Sequence, residues 1–209
     1  MSWPIDIDID GWGSTAEERD ATYPCDALIH RPDGVLFRAV DVAAPADLVF
    51  RWLCQLRLAP YSYDWIDNLG RRSPRQLTPG LDRLEVGQPV ATMFRLASFE
   101  EGRSITFGAN SWLFGRLAMT YRAVPVAADA GDDTDPPAGS CRLVVKLAVV
   151  WPSGFHGVVM RSLLPAGDLV MMRRQLLNLK ALAERDAGFG GRGADDRASA
   201  PRPPMKQSR

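Results

Sequence analysis

The chain has 209 residues with 25 basic and 25 acidic side chains. That is enough for one domain with tails, and the balanced charge, without a basic stripe interleaved with aromatics, argues against a nucleic-acid partner. Three cysteines, Cys25, Cys54 and Cys141, stand far apart with no C-x-x-C pair; their odd number excludes a complete disulfide framework and suits a reducing, cytoplasmic setting. No cationic stretch followed by an apolar run opens the sequence, and no window reaches the roughly 18 apolar residues of a membrane span, so neither export nor a membrane span is expected.

Residues 1 to 34 read as an acidic, poorly periodic leader that packs on the domain, with Trp3 and Trp12 as isolated apolar anchors. The domain proper is expected over 35 to 186. Val35 to Val42 is rich in strand formers and runs into Ala43-Ala44-Pro45, where proline suits the first turn of a helix because its missing amide proton is harmless there. The helix expected from 46 to 57 carries Leu48, Trp52 and Leu56 at helical spacing, and Pro60 stops it. A short second helix is expected over 64 to 69, ended by Gly70, and the Pro-, Gly- and Arg-rich stretch to Gln88 reads as irregular.

Strands follow. Val90 to Phe99 is expected as one, Glu100-Glu101-Gly102-Arg103 as a hairpin turn, and Ser104 to Gly108 as the returning strand with Ile105 and Phe107 on one face. Two further segments alternate cleanly: Leu117, Met119 and Tyr121 against Arg116, Ala118, Thr120 and Arg122, and Leu143, Val145, Leu147 and Val149 against Arg142, Val144, Lys146 and Ala148. Period two with cations on one side predicts a half-buried antiparallel sheet. Ala127 to Gly139 reads as a long mobile loop between them. A helix is predicted from Pro165 to about Arg185, its stripe formed by Leu169, Met172, Leu176, Leu179 and Ala183, and residues 187 to 209 as a disordered tail.

Chemistry-bearing residues concentrate in Tyr61-Ser62-Tyr63-Asp64-Trp65-Ile66-Asp67, directly after the first long helix. Tyr61, Tyr63 and Trp65 are candidate ligand contacts because each joins an apolar body to a polar tip; the same rings equally suit closure of a domain edge. Asp64 and Asp67 offer carboxylates for proton transfer, although Asp is common at helix starts and turns, and capping is the favoured role. Trp112, Met119, Tyr121, Trp151 and Met172 project by parity or helical spacing toward one gap between sheet and helix, where they either fill the core or line a void. His30 and His156 lack carboxylate or cysteine neighbours at metal-ligand spacing, so neither a metal nor a cofactor is expected. Gly188-Phe189-Gly190-Gly191 lacks the strand-before, helix-after context of a phosphate loop.

Val40-Asp41-Val42-Ala43-Ala44-Pro45-Ala46-Asp47-Leu48-Val49-Phe50-Arg51-Trp52-Leu53 resembles the opening strand, proline-started helix and helical tryptophan of the START-like superfamily, also called SRPBCC or polyketide cyclase-like. Ser98 to Ile105 and Val170 to Leu177 are similar to its mid-sheet hairpin and terminal helix. The resemblance covers about residues 35 to 185. It implies an α+β helix-grip fold, a curved antiparallel sheet wrapped around a long C-terminal helix with an internal hydrophobic cavity for lipids, polyketides or other hydrophobic small molecules. The five or six strands readable here fall short of the seven implied, which leaves Arg75 to Leu84 as the place for another. Members of the superfamily include carriers, receptors, cyclases, dehydratases and chaperone activators. Three expectations therefore stand: binding of a hydrophobic small-molecule ligand, a cyclase or dehydratase that moves protons with Asp64, Tyr63 or His156, and a groove that receives a partner protein.

Overall fold

The computed structural model describes residues 8–68, 70–91, 93–126 and 139–198. Six strands among the described residues form one antiparallel sheet: β1 (Gly34–Val42), β2 (Pro89–Val90), β3 (Phe94–Glu100), β4 (Ser104–Ser111), β5 (Gly115–Pro125) and β6 (Cys141–Val150), in the spatial order β1-β6-β5-β4-β3-β2. The first strand thus lies beside the last, with Leu36 opposite Leu147 and Tyr121 of β5 opposite Val145. Between β1 and β2 the chain crosses from one sheet edge to the other through α2 (Ala46–Cys54), a 3-10 turn (Gln55–Arg57) and α3 (Asp64–Asp67). A short helix, α1 (Ala16–Asp20), precedes the sheet, and α4 (Gly154–Ala198) ends the described chain.

Local chemistry explains the matches with the sequence. Pro45 stands at the cap of α2 with extended backbone, and the buried face of that helix holds Val49, Phe50, Trp52 and Leu53. The β3–β4 turn needs its glycine: Gly102 has φ +73°, and Arg103 N–H donates to the Glu100 carbonyl at 3.0 Å. The single strand expected over Val90 to Phe99 is instead two, because Ala91 turns the backbone at φ +49° between β2 and β3. A bulge between Leu96 and Ser98 then shifts the register with β4. Residues 75 to 84 form turns and contribute no strand. The loop expected over 127 to 139 falls, except for Gly139, outside the described residues.

Parity sorts the strand residues into two cores. Leu117, Met119, Tyr121 and Ala123 of β5 and Leu143, Val145, Leu147 and Val149 of β6 join the main core under α2 and α4. The opposite face, expected to meet water through its cations, is covered by the leader: Tyr23, Cys25 and Ile29 pack on Phe37, Ala39, Ala118, Val144 and Ala148. The cations there are paired, not solvated. Lys146 Nζ lies 2.7 Å from Asp26, Arg142 Nε 2.7 Å from Glu18, and the Arg122 guanidinium 4.2 Å from the centre of the Tyr23 ring. The leader also shields the free edge of the sheet, since Phe37 and Ala39 of β1 donate their N–H groups to the Asp10 and Trp12 carbonyls. Gly13 is required at that crossing: at φ +74°, a Cβ would sit 2.2 Å from the Ala39 carbonyl oxygen.

Helix α4 begins at Gly154, about three turns before the expected start at Pro165. Two glycines and two adjacent valines give 154–160 weak helix propensity, and Phe155, Val158 and Leu163 are exposed, so no buried stripe betrays this turn. Tertiary contacts hold it instead: His156 Nε2 lies 2.7 Å from the Leu113 carbonyl oxygen. Pro165 sits inside the helix, and its carbonyl accepts from Arg38 Nη2 at 3.3 Å. Farther on, Met172, Leu176, Leu179 and Ala183 are buried against the sheet as their spacing predicts, whereas Leu169 is only half-buried on the flank. The helix extends to Ala198, beyond its expected end near Arg185; positions 199 to 209 of the expected tail lie outside the described residues.

Candidate functional site

A pocket of about 480 Å³ lies between the inner face of the sheet and α4. Phe94, Phe107, Leu117, Met119, Tyr121 and Leu147 form its sheet side. Across from them, Met160, Leu164, Asp168, Met171, Met172 and Gln175 fall on one side of α4. Leu56, Pro60 and Ser62 close the end beyond α2, and the exposed Ile66 and Leu163 mark where the pocket meets solvent. Volume and lining fit an apolar small-molecule site with a few convergent polar groups.

Two polar arrangements interrupt this apolar wall. Tyr121 donates its hydroxyl proton to Gln175 Oε1 at 2.6 Å, and Gln175 Nε2 donates to the Pro60 carbonyl at 2.6 Å, which ties β5 through α4 to the segment after α2. Asn178 Nδ2 adds a bond to the Tyr61 carbonyl at 2.8 Å. Burial drives the Tyr121 phenol far above its ordinary range, so it acts as a neutral hydroxyl. The second arrangement is an ion pair: Arg38, on the inward parity of β1, is 1% exposed and places Nη2 2.7 Å from Asp168 Oδ2, whose side chain is 12% exposed. Arg38 further donates Nη1 to the Phe37 carbonyl at 2.7 Å. Burial raises the Asp168 carboxyl to about 6, outweighing the opposing pull of Arg38. Short as the contact is, Asp168 Oδ2 and Arg38 Nε are both buried without an aligned hydrogen bond among the described residues, so the guanidinium does not grip the carboxylate in its two-pronged geometry.

The structure brings Met119, Tyr121 and Met172 together on the pocket wall and disperses the other candidates. Tyr61 is 2% exposed, turns inward at φ +57° and packs edge-on against Trp52 with ring centroids 5.9 Å apart. Its immediate neighbours Pro60 and Ser62 line the pocket instead. Tyr63 borders a separate groove with Trp12 and Arg173. Asp64 accepts from Ser73, at 2.9 Å from N–H and 2.5 Å from the hydroxyl, and so closes the loop behind α3. Trp65 is 76% exposed on α3. Trp112 is 85% exposed and stacks on His156 at 6.0 Å, while Trp151 is half-buried beside Gly34, away from the pocket lining.

Sequence reasoning missed Arg38, Asp168 and Gln175. Signals existed: Arg38 shares the parity of Leu36 and Val40, and Asp168 and Gln175 stand four before and three after Met172 on one helical face. No group of three or more His, Cys, Asp or Glu among the described residues is placed to hold a metal ion.

No family model matches the sequence, and no curated protein does. Several solved structures are similar. A protein from Thermus thermophilus is 15% identical with TM-score 0.45, matched over 73% of this chain and 99% of its own. The ZhuI aromatase/cyclase of Streptomyces sp. R1128 is 21% identical with TM-score 0.44, over 72% and 93%. A START superfamily protein from Mycobacterium smegmatis is 18% identical with TM-score 0.40, over 72% and 97%. An antiparallel sheet that seats its first strand beside its last, with the long closing helix across its inner face, gives this chain a helix-grip fold.

Proposed function

We propose that the protein binds a hydrophobic small molecule in the pocket between the sheet and α4. The observation that carries this reading is the pocket itself, about 480 Å³ of space walled by Phe, Leu and Met side chains in a fold of this size. Such a volume suits a lipid-like or polycyclic ligand, and the five methionines on the wall, Met93, Met119, Met160, Met171 and Met172, can repack around varied shapes. A groove for a partner helix is the weaker reading, because much of the lining, Phe107, Met119, Tyr121, Leu147 and Met172 among it, is buried between the sheet and α4 and not presented at the surface. The proton-transfer reading does not gather around Asp64, Tyr63 or His156, none of which lines this pocket.

Thermal denaturation in the presence of lipid and aromatic polyketide panels tests the reading. A ligand that binds only the native state raises the midpoint by mass action, by about 2.7 kcal/mol of stability at a hundredfold excess over its dissociation constant. An unmoved midpoint across both panels, at concentrations up to solubility, would count against ligand binding.

A further inference from the structure

Within an apolar pocket, the polar groups left open decide what else the guest must carry. Asp168 stands on the pocket face of α4 between Leu164 and Met172, and an ionised carboxylate accepts at about four lone-pair positions while donating at none. Among the described residues its one close polar partner is Arg38 Nη2, and even there Oδ2 lacks an aligned hydrogen bond. Arg38 itself is 1% exposed and lies behind the wall, so the carboxylate is the member of the pair that borders the cavity. The other polar residues on the wall are engaged. Tyr121 spends its proton on Gln175, Gln175 Nε2 spends one on Pro60, and Ser62 is not free. What remains open at this end is acceptor capacity: Asp168, the lone pairs of the Tyr121 hydroxyl and Gln175 Oε1.

Charge narrows the class further. Arg38 already balances Asp168, so a cationic guest would leave an unbalanced positive charge inside the domain, and an anionic guest would face a carboxylate. A ketone, ether or plain hydrocarbon brings no donor to a wall of acceptors.

Building on the ligand-binding reading above, we infer that the guest is a neutral, apolar alcohol or phenol whose hydroxyl donates to the Asp168 carboxylate. The bond is charge-assisted and formed away from water, the setting in which such bonds discriminate most. Asp168 is then a specificity-determining residue, and Arg38 a positioning residue that holds its charge in place.

Three probes of one shape separate the possibilities: 9-phenanthrol, 9-methoxyphenanthrene and phenanthrene, titrated by calorimetry at pH 7.5 against the wild-type chain. The expected result is a dissociation constant for 9-phenanthrol about tenfold to a hundredfold below those of the other two, the range for a hydrogen bond to a charged group. In the double variant Arg38→Met with Asp168→Leu, which removes both charges together and leaves neither alone inside, that preference should vanish while phenanthrene still binds. Equal or reversed affinities in the wild type, or a preference that survives in the double variant, overturn the hydroxyl inference and leave the apolar pocket standing. If none of the three binds the wild type, the hydroxyl inference falls, and the lipid and polyketide panels decide the ligand reading separately. The wild-type comparison needs no variant, so a misfolded double variant would not rescue the inference.

Discussion

Asp168 links the pocket to stability in a way that can be measured without any ligand. Its carboxyl stands at about 6 in the folded protein against an ordinary 3.8, because burial opposes its charge more strongly than Arg38 supports it. That gap, at about 1.36 kcal/mol per pH unit, makes ionised Asp168 a cost of about 3 kcal/mol to the folded state. The sign follows from proton counting. Below 3.8 the group is protonated in both states and costs nothing; between 3.8 and 6 the folded chain holds a proton the unfolded chain has released, so stability falls as pH rises; above 6 the whole cost is present. Asp168→Asn cannot ionise, and the other carboxylates titrate alike in both proteins. Urea denaturation of each from pH 4.5 to 7.5 should therefore show wild type losing about 2 kcal/mol relative to the variant, the share of the cost that falls in this window. A difference that stays flat, or that turns in favour of wild type with rising pH, would mean that Arg38 outweighs desolvation and would refute the reasoning.

Two further outcomes follow from packing. Leu176→Ala removes a side chain that is 0% exposed where α4 meets the sheet, and should cost about 2–5 kcal/mol in urea denaturation; a loss under about 1 kcal/mol would show that α4 is not seated on the core. Gly167→Ala adds a Cβ that meets nothing within 4 Å, in a helix interior where alanine is favoured. It should stabilise by about 0.5–1 kcal/mol in thermal melts, and a destabilisation would mean that the helix departs from regular geometry after Pro165.

Much of the architecture was legible because alternation and helical spacing are direct records of burial. Leu117-Met119-Tyr121 and Leu143-Val145-Leu147 face the main core as their parity requires, the Glu100–Arg103 turn closes where its glycine allows, and Met172, Leu176, Leu179 and Ala183 dock as one stripe. Illegible parts share a physical cause, which is that partners distant in sequence supply the missing stabilisation. The cations of β5 and β6 read as solvated until Glu18, Tyr23 and Asp26 of the leader reach over to them. The first turns of α4 have poor propensity and are held by Leu113 from another element.

The site was only partly readable for the same reason. Met119, Tyr121 and Met172 could be placed by period alone. Arg38 and Asp168 are 130 positions apart, each an unusual core residue when viewed singly, and only the folded chain puts them together at 2.7 Å. The aromatic run after α2 drew attention for its composition, yet Tyr61 turns into the core while Trp65 turns outward, a divergence fixed by the left-handed backbone at Tyr61 and the bond from Asn178 to its carbonyl.

The most direct test of a ligand site under α4 uses its methionines. Of seven in the chain, Met93, Met119, Met160, Met171 and Met172 line the pocket, and Met1 and Met205 lie outside the described residues. With ¹³C placed in the methionine ε-methyl groups, each assigned by single Met→Leu substitution, titration with phenanthrene should shift the five pocket signals together along one binding curve. Calorimetrically detectable binding that leaves these five signals unmoved would place the guest elsewhere and contradict the account.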